Sequence, residues 1–376
     1  MKTVGIICEY NPLHLGHRKQ LEYLRQQDVG IVCLMSGNFV QRGHPAILDK
    51  MLRAKAAVMS GADLVLELPV TAALSSAEGF AAKGVEILGK ICDGLCFGAE
   101  TPDKNALMDT AGILLSEEFK VALRAQLDQG KSFPAARAAA LGERGELLTT
   151  PNNILAVEYC KAILLQNCAM EPMPIFRGGS YHDDILDAEN PSATAVRKQM
   201  LGGLDWKSCV PDEVSGIFEG AMLHSLSAGE RAVLARLRTM AEADFEAVPF
   251  GSEGLWRKLM HAVHQEATLE EIAIAVKSKR YTRTRIDRMI LCAFLGLTQG
   301  DLDAPAPYAR VLALNDKGRE ILNNARYTGL FPNIGEKIDH PYQQIEDRAD
   351  ALYGLFAIDS PEIPNPNHRV CCLTGM

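Results

Sequence analysis

The chain has 376 residues, of which 47% are hydrophobic and 23% charged, and its formal net charge is -8. This length and composition predict a globular protein of two domains and exclude a disordered chain. The acidic balance argues against a surface built throughout for nucleic acid, although a local basic patch remains compatible with it. The sequence has no run of about 18 uncharged apolar residues, and its N-terminal residues lead directly into a predicted strand and not into a signal peptide. We therefore expect a cytoplasmic protein with no membrane segment.

The ten cysteines are scattered singly through apolar segments, and none forms a Cys-x-x-Cys pair. Isolated cysteines of this kind are typical of reduced core thiols. Neither the spacing of Cys92 and Cys96 nor the adjacent pair Cys371 and Cys372 resembles a zinc site, which needs four convergent ligands. We expect no disulfide and no zinc site, and we assign no residue as a metal ligand.

Strand and helix signals alternate over the first two hundred residues. Residues 3–8 and 30–35 are short apolar runs separated by an amphipathic stretch at 17–27, which predicts a right-handed βαβ unit. The further predicted elements are a helix over 48–60, strands over 63–68 and 94–98, a helix over 152–166 and an extended segment over 174–177. This order predicts an α/β fold with a Rossmann-like parallel sheet.

The pattern changes after about residue 204. Segments with helical periodicity and few strand signals follow one another at 234–242, 255–265, 269–278 and 284–295. The most linker-like stretch, 301–307, leads into a predicted small αβ tail. We therefore predict an ATP-binding α/β domain over 1–203 and a mostly helical domain with a small C-terminal tail over 204–376.

Residues 5–17, GIICEYNPLHLGH, end a buried strand in a polar turn and place His14 and His17 at the start of a helix. Ligands of open α/β sheets bind at the carboxyl ends of strands, and a helix N-terminus favours phosphate. Two imidazoles there can donate hydrogen bonds to phosphate oxygens as charge develops, and Gly16 leaves room for a nucleotide. The alternative is that both histidines are surface or capping residues.

Residues 191–197, PSATAVR, supply Ser192, Thr194 and Arg197 at a predicted helix start. Hydroxyl groups and a guanidinium suit a departing pyrophosphate, whose growing charge they can neutralise. Ser192 alone could be an ordinary N-cap. Residues 176–184, FRGGSYHDD, place Arg177 in a glycine-containing loop, where it can meet a phosphate or an adenine edge.

Three acidic residues could serve a Mg2+ ion that accompanies ATP, because Mg2+ prefers oxygen ligands. They are Glu9, Asp63 and Glu67. Their spacing is not diagnostic, and Asp63 and Glu67 could equally well cap a turn and close a salt bridge.

Residues 277–288, KSKRYTRTRIDR, contain six basic residues and the single acid Asp287. If a helix begins near Thr284, Arg285 and Arg288 point away from its apolar face and into solvent. Tyr281 could stack on a base. The ordinary alternative is a solvated helix face.

The His-x-Gly-His motif after the first strand resembles the HIGH superfamily, which includes nucleotidyltransferases and class I aminoacyl-tRNA synthetases. Together with MSGNFVQRGHPAILDK at 35–50 and GADLVLELP at 61–69, it resembles the bacterial tRNA(Met) cytidine acetate ligase family. The resemblance implies an enzyme that joins acetate and ATP into acetyl-adenylate with release of pyrophosphate. The acetyl group would then pass to the N4 amine of the wobble cytidine of elongator tRNA(Met), with release of AMP. ATP would be a substrate and would be accompanied by Mg2+.

The resemblance also implies site residues. The catalytic residues would be His14, His17 and Arg197. The ATP-binding residues would be Ile7, Cys8, Glu9, Tyr10, Asn11, Pro12, His14, Gly16, His17, Gly98, Asn152, Asn153, Arg177, Ser192 and Thr194. The RNA-binding residues would be Lys279, Arg280, Tyr281, Thr282, Arg283 and Arg285. A helix cap is the alternative for Asn152, and a turn glycine is the alternative for Gly98.

Two other functions stay open at the level of sequence. An adenylyltransferase that makes a small nucleotide cofactor would share the first domain but would not need the basic segment. A non-catalytic RNA-binding protein could keep the fold, although the intact histidine and PSATAVR motifs argue against it. No membrane or protein partner is expected.

Overall fold

The structure, a computed structural model, describes residues 1–131, 133–177, 191–306, 308–325, 340–359 and 370–374. The strands are β1 (Thr3–Cys8), β2 (Gly30–Ser36), β3 (Phe39–Val40), β4 (His44–Pro45), β5 (Leu64–Leu68), β6 (Gly94–Ala99), β7 (Glu171–Phe176), β8 (Val311–Leu314) and β9 (Cys371–Cys372). The helices up to residue 218 are α1 (Leu15–Arg25), α2 (Lys50–Met59), α3 (Val70–Ala73), α4 (Ala77–Leu88), α5 (Lys104–Leu115), α6 (Glu117–Asp128), α7 (Phe133–Leu141), α8 (Pro151–Leu165), α9 (Ala193–Leu201) and α10 (Asp212–Phe218). The later helices are α11 (Leu226–Arg238), α12 (Glu242–Glu246), α13 (Leu255–Gln265), α14 (Leu269–Val276), α15 (Arg283–Leu295), α16 (Gln299–Asp303), α17 (Asp316–Ala325) and α18 (Pro341–Tyr353).

Seven strands form one sheet in the order β7-β6-β1-β2-β5-β8-β9. The five strands from β7 to β5 are parallel, and β8 runs antiparallel to β5. The predicted α/β class with a mostly parallel sheet is therefore confirmed. The chain leaves β1 for β2 on one side and later returns to β6 on the other. The carboxyl end of β1 is thus a topological switch point, where open α/β sheets bind ligands.

Most predicted elements of the sheet are observed within two residues of their expected ends. The strand predicted over 174–177 begins earlier, at Glu171. Pro172 and Pro174 interrupt its strand signal, but β7 is an edge strand, where a missing N–H group is tolerated. The short antiparallel pair β3–β4 was not predicted.

The helices between residues 226 and 303 pack around a second core, to which Phe39 of β3 and Val70 of α3 also contribute. The buried side chains Val233, Leu259, Ile272 and Met289 belong to it. The predicted helix over 255–265 has the observed bounds of α13. The helix predicted over 234–242 is instead Leu226–Arg238, because Ser225 accepts a hydrogen bond from the N–H of Ala228 and caps it there.

The segments after residue 308 return to the sheet. Strand β8 pairs with β5, and β9 pairs with β8. Helix α18 instead packs on the helical core through Ala349 and Tyr353. The C-terminal tail therefore touches both parts of the molecule, and it covers the edge of β5, which would otherwise be open to unwanted pairing. The predicted boundary between residues 203 and 204 stays a prediction.

All ten cysteines are free thiols, as expected. Among the described residues, no helix combines the length and the apolar character that crossing a membrane requires.

Candidate active site

Hydrogen bonds to backbone N–H groups hold the two motif histidines in place at the start of α1. His14 is the N-cap, and its Nδ1 accepts a hydrogen bond from the N–H of Gly16 at 3.1 Å. His17 Nδ1 accepts one from the backbone N–H of His14 at 3.3 Å. Because both Nδ1 atoms are acceptors, the neutral rings carry their protons on Nε2. The capping alternative thus holds for His14, but it uses only one nitrogen of the ring.

Burial keeps the pair uncharged. It lowers the pKa of His14 to about 3, and the positive charges of Arg177 and Arg197 act in the same direction. Burial, His14 and Arg177 also lower the pKa of His17 well below its ordinary value. The Nε2 atom of His14 is buried and has no hydrogen-bond partner among the described residues. A buried donor without a partner is costly, so this N–H suits an incoming acceptor such as a phosphate oxygen.

The PSATAVR segment lies beside the histidines. Arg197 donates through Nη1 to the carbonyl of Asn11 at 2.6 Å and through Nη2 to Thr194 Oγ1 at 3.1 Å. Ser192 caps α9 by accepting a hydrogen bond from the N–H of Ala195 at 3.0 Å, which is its ordinary alternative role. The fold therefore brings Arg197 and Thr194 to the turn that precedes the histidines.

Arg177 and Gly98 meet at the carboxyl ends of β7 and β6. The N–H of Arg177 donates to the carbonyl of Ala99 at 2.9 Å. A Cβ atom on Gly98 would lie 2.9 Å from Arg177 Cδ, so the glycine leaves the space that the arginine side chain crosses. Residues 178–184 of the FRGGSYHDD segment lie outside the described residues.

The two asparagines are held by the loop after β6. Glu100 accepts hydrogen bonds from Asn152 Nδ2 and from the N–H of Asn153, each at 2.8 Å. Asn153 is buried, and its Oδ1 accepts from the N–H of Thr101 at 3.0 Å. Both side chains thus anchor the loop to α8, and their role toward ATP stays a prediction. Glu100 was not predicted as a site residue, because a single glutamate after a strand has no distinctive spacing.

The residues at the end of β1 differ in exposure. Ile7, Cys8 and Glu9 are partly exposed, whereas Tyr10, Asn11 and Pro12 are buried. Asn11 Oδ1 accepts from the N–H of Ile47 at 2.8 Å, and Glu9 Oε1 accepts from the N–H of Gln41 at 2.7 Å. The polar groups of this turn therefore fix the chain segment around β3 and β4.

Two of the three acids considered for Mg2+ have structural partners. Asp63 lies at the amino end of β5, away from the site, and accepts from the N–H of Ile31 and from Asn315 Nδ2. Glu67 is buried between Lys50 and Arg310. The capping and ion-pair alternative is the one observed for both. Within the described ranges no group of three or more histidines, cysteines or acids could hold a metal ion.

The basic segment leads into α15, which begins close to its predicted start. Thr282 is the N-cap, Lys279 is exposed, and Arg280 pairs with Glu253 at 2.5 Å. The ring of Tyr281 lies 5.0 Å from the Arg285 guanidinium. These residues form one exposed basic surface at the start of the helix.

Several arginines of this segment form ion pairs or hydrogen bonds within the protein, which the sequence did not predict. Arg283 forms ion pairs of 2.7 Å with Glu270 and with Asp287. Arg285 donates to the carbonyl of Phe250 at 2.7 Å. The expectation that Arg288 points into solvent is wrong: it is buried and donates to the carbonyl of Gln41 at 3.2 Å. The β3–β4 pair, absent from the sequence prediction, covers this side of the helix.

This chain is similar in sequence to known proteins over nearly all of its length. The family described as HIGH Nucleotidyl Transferase matches residues 1–363. A tRNA(Met) cytidine acetate ligase of Clostridium novyi is 36% identical over 356 residues, which covers 88% of this chain and 89% of that protein. Its counterpart in Syntrophomonas wolfei is 37% identical over 404 aligned positions and covers 98% and 97% of the two chains.

Two crystal structures of Thermotoga maritima TmcAL have the same fold. The apo form has a TM-score of 0.89, and the form bound with alpha-thio ATP has a TM-score of 0.86. Both are 29% identical in sequence and cover all of both chains.

Proposed function

The chain belongs to the HIGH nucleotidyl transferase family and, within it, to the tRNA(Met) cytidine acetate ligases, and from this membership we propose that it acetylates the wobble cytidine of elongator tRNA(Met). The substrates are ATP, acetate and the tRNA, and the products are N4-acetylcytidine, AMP and pyrophosphate. The reaction takes place in the cytoplasm in this proposal, which assigns no protein partner.

One observation carries the first half of this proposal. Two neutral imidazoles stand at the N-terminus of α1 with their Nε2–H groups as donors, and Arg177 acts electrostatically on both rings and Arg197 on His14. In the first step an acetate oxygen attacks the α-phosphorus of ATP, and the bond to the leaving pyrophosphate breaks. Acetate is already an anion near neutral pH, so this step needs no base. Preorganised donors and cations that stabilise the charge on the transferring phosphate supply the catalysis.

In the second step the N4 amine of the cytidine attacks the acetyl carbonyl carbon. The bond from that carbon to the phosphate oxygen breaks, AMP leaves with the electron pair, and N4 loses a proton. The cytidine has to leave its base stack to reach the adenylate. Lys279, Arg280, Tyr281, Thr282, Arg283 and Arg285 hold the tRNA in this proposal. Among them Lys279 and Arg285 have no carboxylate partner among the described residues, which leaves their charge for phosphate.

A Mg2+ ion would arrive with the triphosphate and supply charge neutralisation there. Glu9 directly precedes the turn that leads to the histidines, but one of its oxygens already accepts from Gln41, and the charges of Arg53 and Arg197 act on it. Phosphate oxygens and water suit the ion better than this carboxylate does. The described residues therefore bind and orient the nucleotide, and no group of three or more of their histidines, cysteines and acids could hold the ion by itself.

Each part of the chain has its own task in this proposal. Residues 1–203 form the adenylate, and residues 204–376 hold the tRNA, with the exception of β8, α17 and β9, which complete or cover the sheet. The two tasks meet where the β3–β4 pair touches α15.

Pyrophosphate release measured with ATP and acetate, with and without tRNA, tests the proposal. We expect acetate-dependent release in both cases and N4-acetylcytidine only with tRNA. A cofactor-forming adenylyltransferase would show no acetate-dependent release and would form no N4-acetylcytidine with tRNA, and a non-catalytic RNA-binding protein would release no pyrophosphate. Either result would contradict the proposal.

A further inference from the structure

A short β-hairpin lies between the nucleotide turn and the basic segment. Val40 of β3 pairs with His44 of β4, and the N–H of Gly43 donates to the carbonyl of Val40 at 2.9 Å. Gly43 has a φ of +81°, which favours glycine and closes the turn tightly. The turn therefore presents His44 at a defined position, directly after the glycine.

The hairpin is tied to the nucleotide side by residues of the β1 turn. Glu9 Oε1 accepts from the N–H of Gln41 at 2.7 Å, and Asn11 Oδ1 accepts from the N–H of Ile47 at 2.8 Å. The carbonyl of the same Asn11 accepts from Arg197 at 2.6 Å. Hydrogen bonds before and after His44, at Gln41 and Ile47, thus attach this segment to the turn that precedes the histidine motif.

The other side of the hairpin contacts the helix that follows the basic segment. A Cβ atom on Gly43 would lie 2.5 Å from the backbone of both Asp287 and Arg288, so only glycine allows this approach. The Arg288 guanidinium donates to the carbonyl of Gln41 at 3.2 Å. Gly43 and Arg283 line the same small pocket. His44 therefore stands between the site of adenylate formation and the surface proposed to hold tRNA.

Three cations act on the His44 ring from three elements. They are Arg42 in the hairpin turn, Arg197 on α9 and Arg283 on α15. The acids nearby are Glu9, bonded to Gln41, and Asp287, paired with Arg283. The ring makes no hydrogen bond with the residues that the structure describes, and burial together with the three arginines lowers its pKa to about 4. His44 is thus neutral near pH 7, with a nitrogen lone pair available.

We propose that His44 accepts the proton that the cytidine N4 amine loses when it attacks the acetyl-adenylate. The inference rests on the proposed function. The N4–C bond forms, the bond between the acetyl carbon and the AMP oxygen breaks, and the proton passes from N4 to an imidazole nitrogen of His44. The imidazolium then returns the proton to solvent as the products leave.

Substrate binding strengthens this base. Burial is the largest cause of the lowered pKa of His44, and the arginine charges add to it. The adenylate phosphate and the tRNA backbone would neutralise part of the arginine charge, so binding of both substrates raises the pKa of His44 from its lowered value. A general base works best when its pKa lies near the working pH, so His44 becomes a more effective base when both substrates are bound.

The experiment separates the two half-reactions in His44→Gln, with His261→Gln as the matched control at an exposed histidine of α13. We expect His44→Gln to keep acetate-dependent pyrophosphate release without tRNA and to slow single-turnover acetyl transfer by about 100-fold, the size of a general-base effect. His44→Ala should lose transfer as well and regain part of it when imidazole is added. The wild-type transfer rate should fall at acidic pH, and His44→Gln should lack that fall.

Four results would overturn the inference. Transfer at the wild-type rate in His44→Gln shows that no proton passes to His44, although the proposed function stands. Equal loss of pyrophosphate release and of transfer gives His44 a role in nucleotide binding instead. Absence of imidazole rescue with weakened tRNA binding gives it a structural role. Failure of the wild-type protein to form N4-acetylcytidine overturns the proposed function together with the inference.

Discussion

His17 accepts a hydrogen bond through Nδ1 from the backbone N–H of His14, and the two rings stack with their centroids 3.8 Å apart. The backbone N–H of His14 thereby determines the tautomer of His17, which lies one helical turn later. Each ring has one nitrogen committed to the fold and one directed to other partners. This division of the ring allows the two nitrogens to be tested separately.

We predict opposite outcomes for two substitutions of His17. In His17→Asn the short amide can still accept from the N–H of His14, but no donor reaches the position of Nε2. In His17→Gln the longer amide can place a donor near that position. Acetate-dependent pyrophosphate release should fall about 100-fold to 1000-fold in the asparagine variant, the effect of removing one preorganised donor, and less in the glutamine variant. Equal rates in the two variants would show that Nε2 does not serve the transition state.

The buried histidines should make the fold sensitive to acid. The folded-state pKa of His14 is about 3, below its ordinary value of 6.5, so the unfolded chain takes up the proton first as the pH falls. The stability that the neutral ring allows is present above pH 6.5 and is lost toward pH 3, by up to about 1.4 kcal/mol per pH unit for each such histidine.

Urea unfolding at pH 7.5 and 5.5 tests this prediction. The wild-type protein should be less stable at the lower pH, and His14→Gln, which cannot take up a proton in either state, should show a smaller loss. The exposed His261→Gln is the control and should behave as the wild type. An identical loss in all three proteins would mean that His14 does not carry the effect.

Arg283 and Arg285 should differ in what they contribute. Arg283 pairs with the buried Asp287, so Arg283→Ala leaves a carboxylate without its partner and should reduce the free energy of unfolding by about 1–3 kcal/mol. Arg285 has only neutral acceptors, Phe250 and Ser252, among the described residues. Arg285→Ala should therefore keep stability closer to the wild type and weaken tRNA binding.

Binding of tRNA at several salt concentrations tests the role predicted for Arg285. Each lost phosphate contact should reduce the slope of log K against log salt by about 0.7–0.9. We expect that reduction for Arg285→Ala and none for Arg236→Ala, an exposed arginine of α11 outside the segment. An unchanged slope for Arg285→Ala would exclude a phosphate contact.

The local elements of the sheet were predictable because their signals are local. β1 has the predicted bounds, and the histidine motif, PSATAVR and Arg177 were each visible as short strings at strand ends or helix starts. The carboxyl ends of parallel strands meet at one edge, so their proximity followed from the fold class.

Contacts between distant segments were not predictable in this way. The β3–β4 hairpin has only two residues in each strand, too few for a periodic signal, and its tight approach to Asp287 depends on how α15 packs. The pairing of β8 with β5 joins segments about 250 residues apart. Nothing in either segment alone indicates its partner, and the role of Arg288 was misjudged for the same reason.

A cluster of buried charged side chains also joins segments that are far apart in the sequence. Lys50 Nζ lies 2.8 Å from Glu67 and 2.5 Å from Asp350, and Arg310 lies 2.6 Å from Glu67 and 3.0 Å from Asp350. A third carboxyl group, Glu346, accepts from the N–H of Val70. Burial, followed by the negative charge of Glu67, raises the pKa of Glu346 to about 8. With that group protonated near pH 7, the buried part of the cluster has two cations and two carboxylates, and the exposed Asp347 lies 3.9 Å from Arg310 at its edge.

Glu346→Gln should therefore not reduce the free energy of unfolding at pH 7, because the amide resembles a protonated carboxyl group, can still accept from Val70 and, unlike glutamate, does not ionise in the unfolded chain. Asp350→Asn removes a carboxylate from the balanced set and should cost about 3–5 kcal/mol. Chemical denaturation of both variants beside the wild type measures the difference. Similar losses in both would mean that Glu346 is ionised in the folded protein.

The pH dependence of Glu346→Gln provides an independent check. The folded-state pKa of Glu346, about 8, lies above its ordinary value of 4.5, so the wild type loses stability from this group as the pH rises between those values. The glutamine variant should therefore become more stable relative to the wild type between pH 6 and 8, by up to about 1.4 kcal/mol per pH unit.

Asp350 also accepts a hydrogen bond from Asn38, the residue that precedes the first strand of the hairpin that carries His44. Loss of Asp350 should thus slow acetyl transfer more than pyrophosphate release, and equal slowing would separate the cluster from the hairpin.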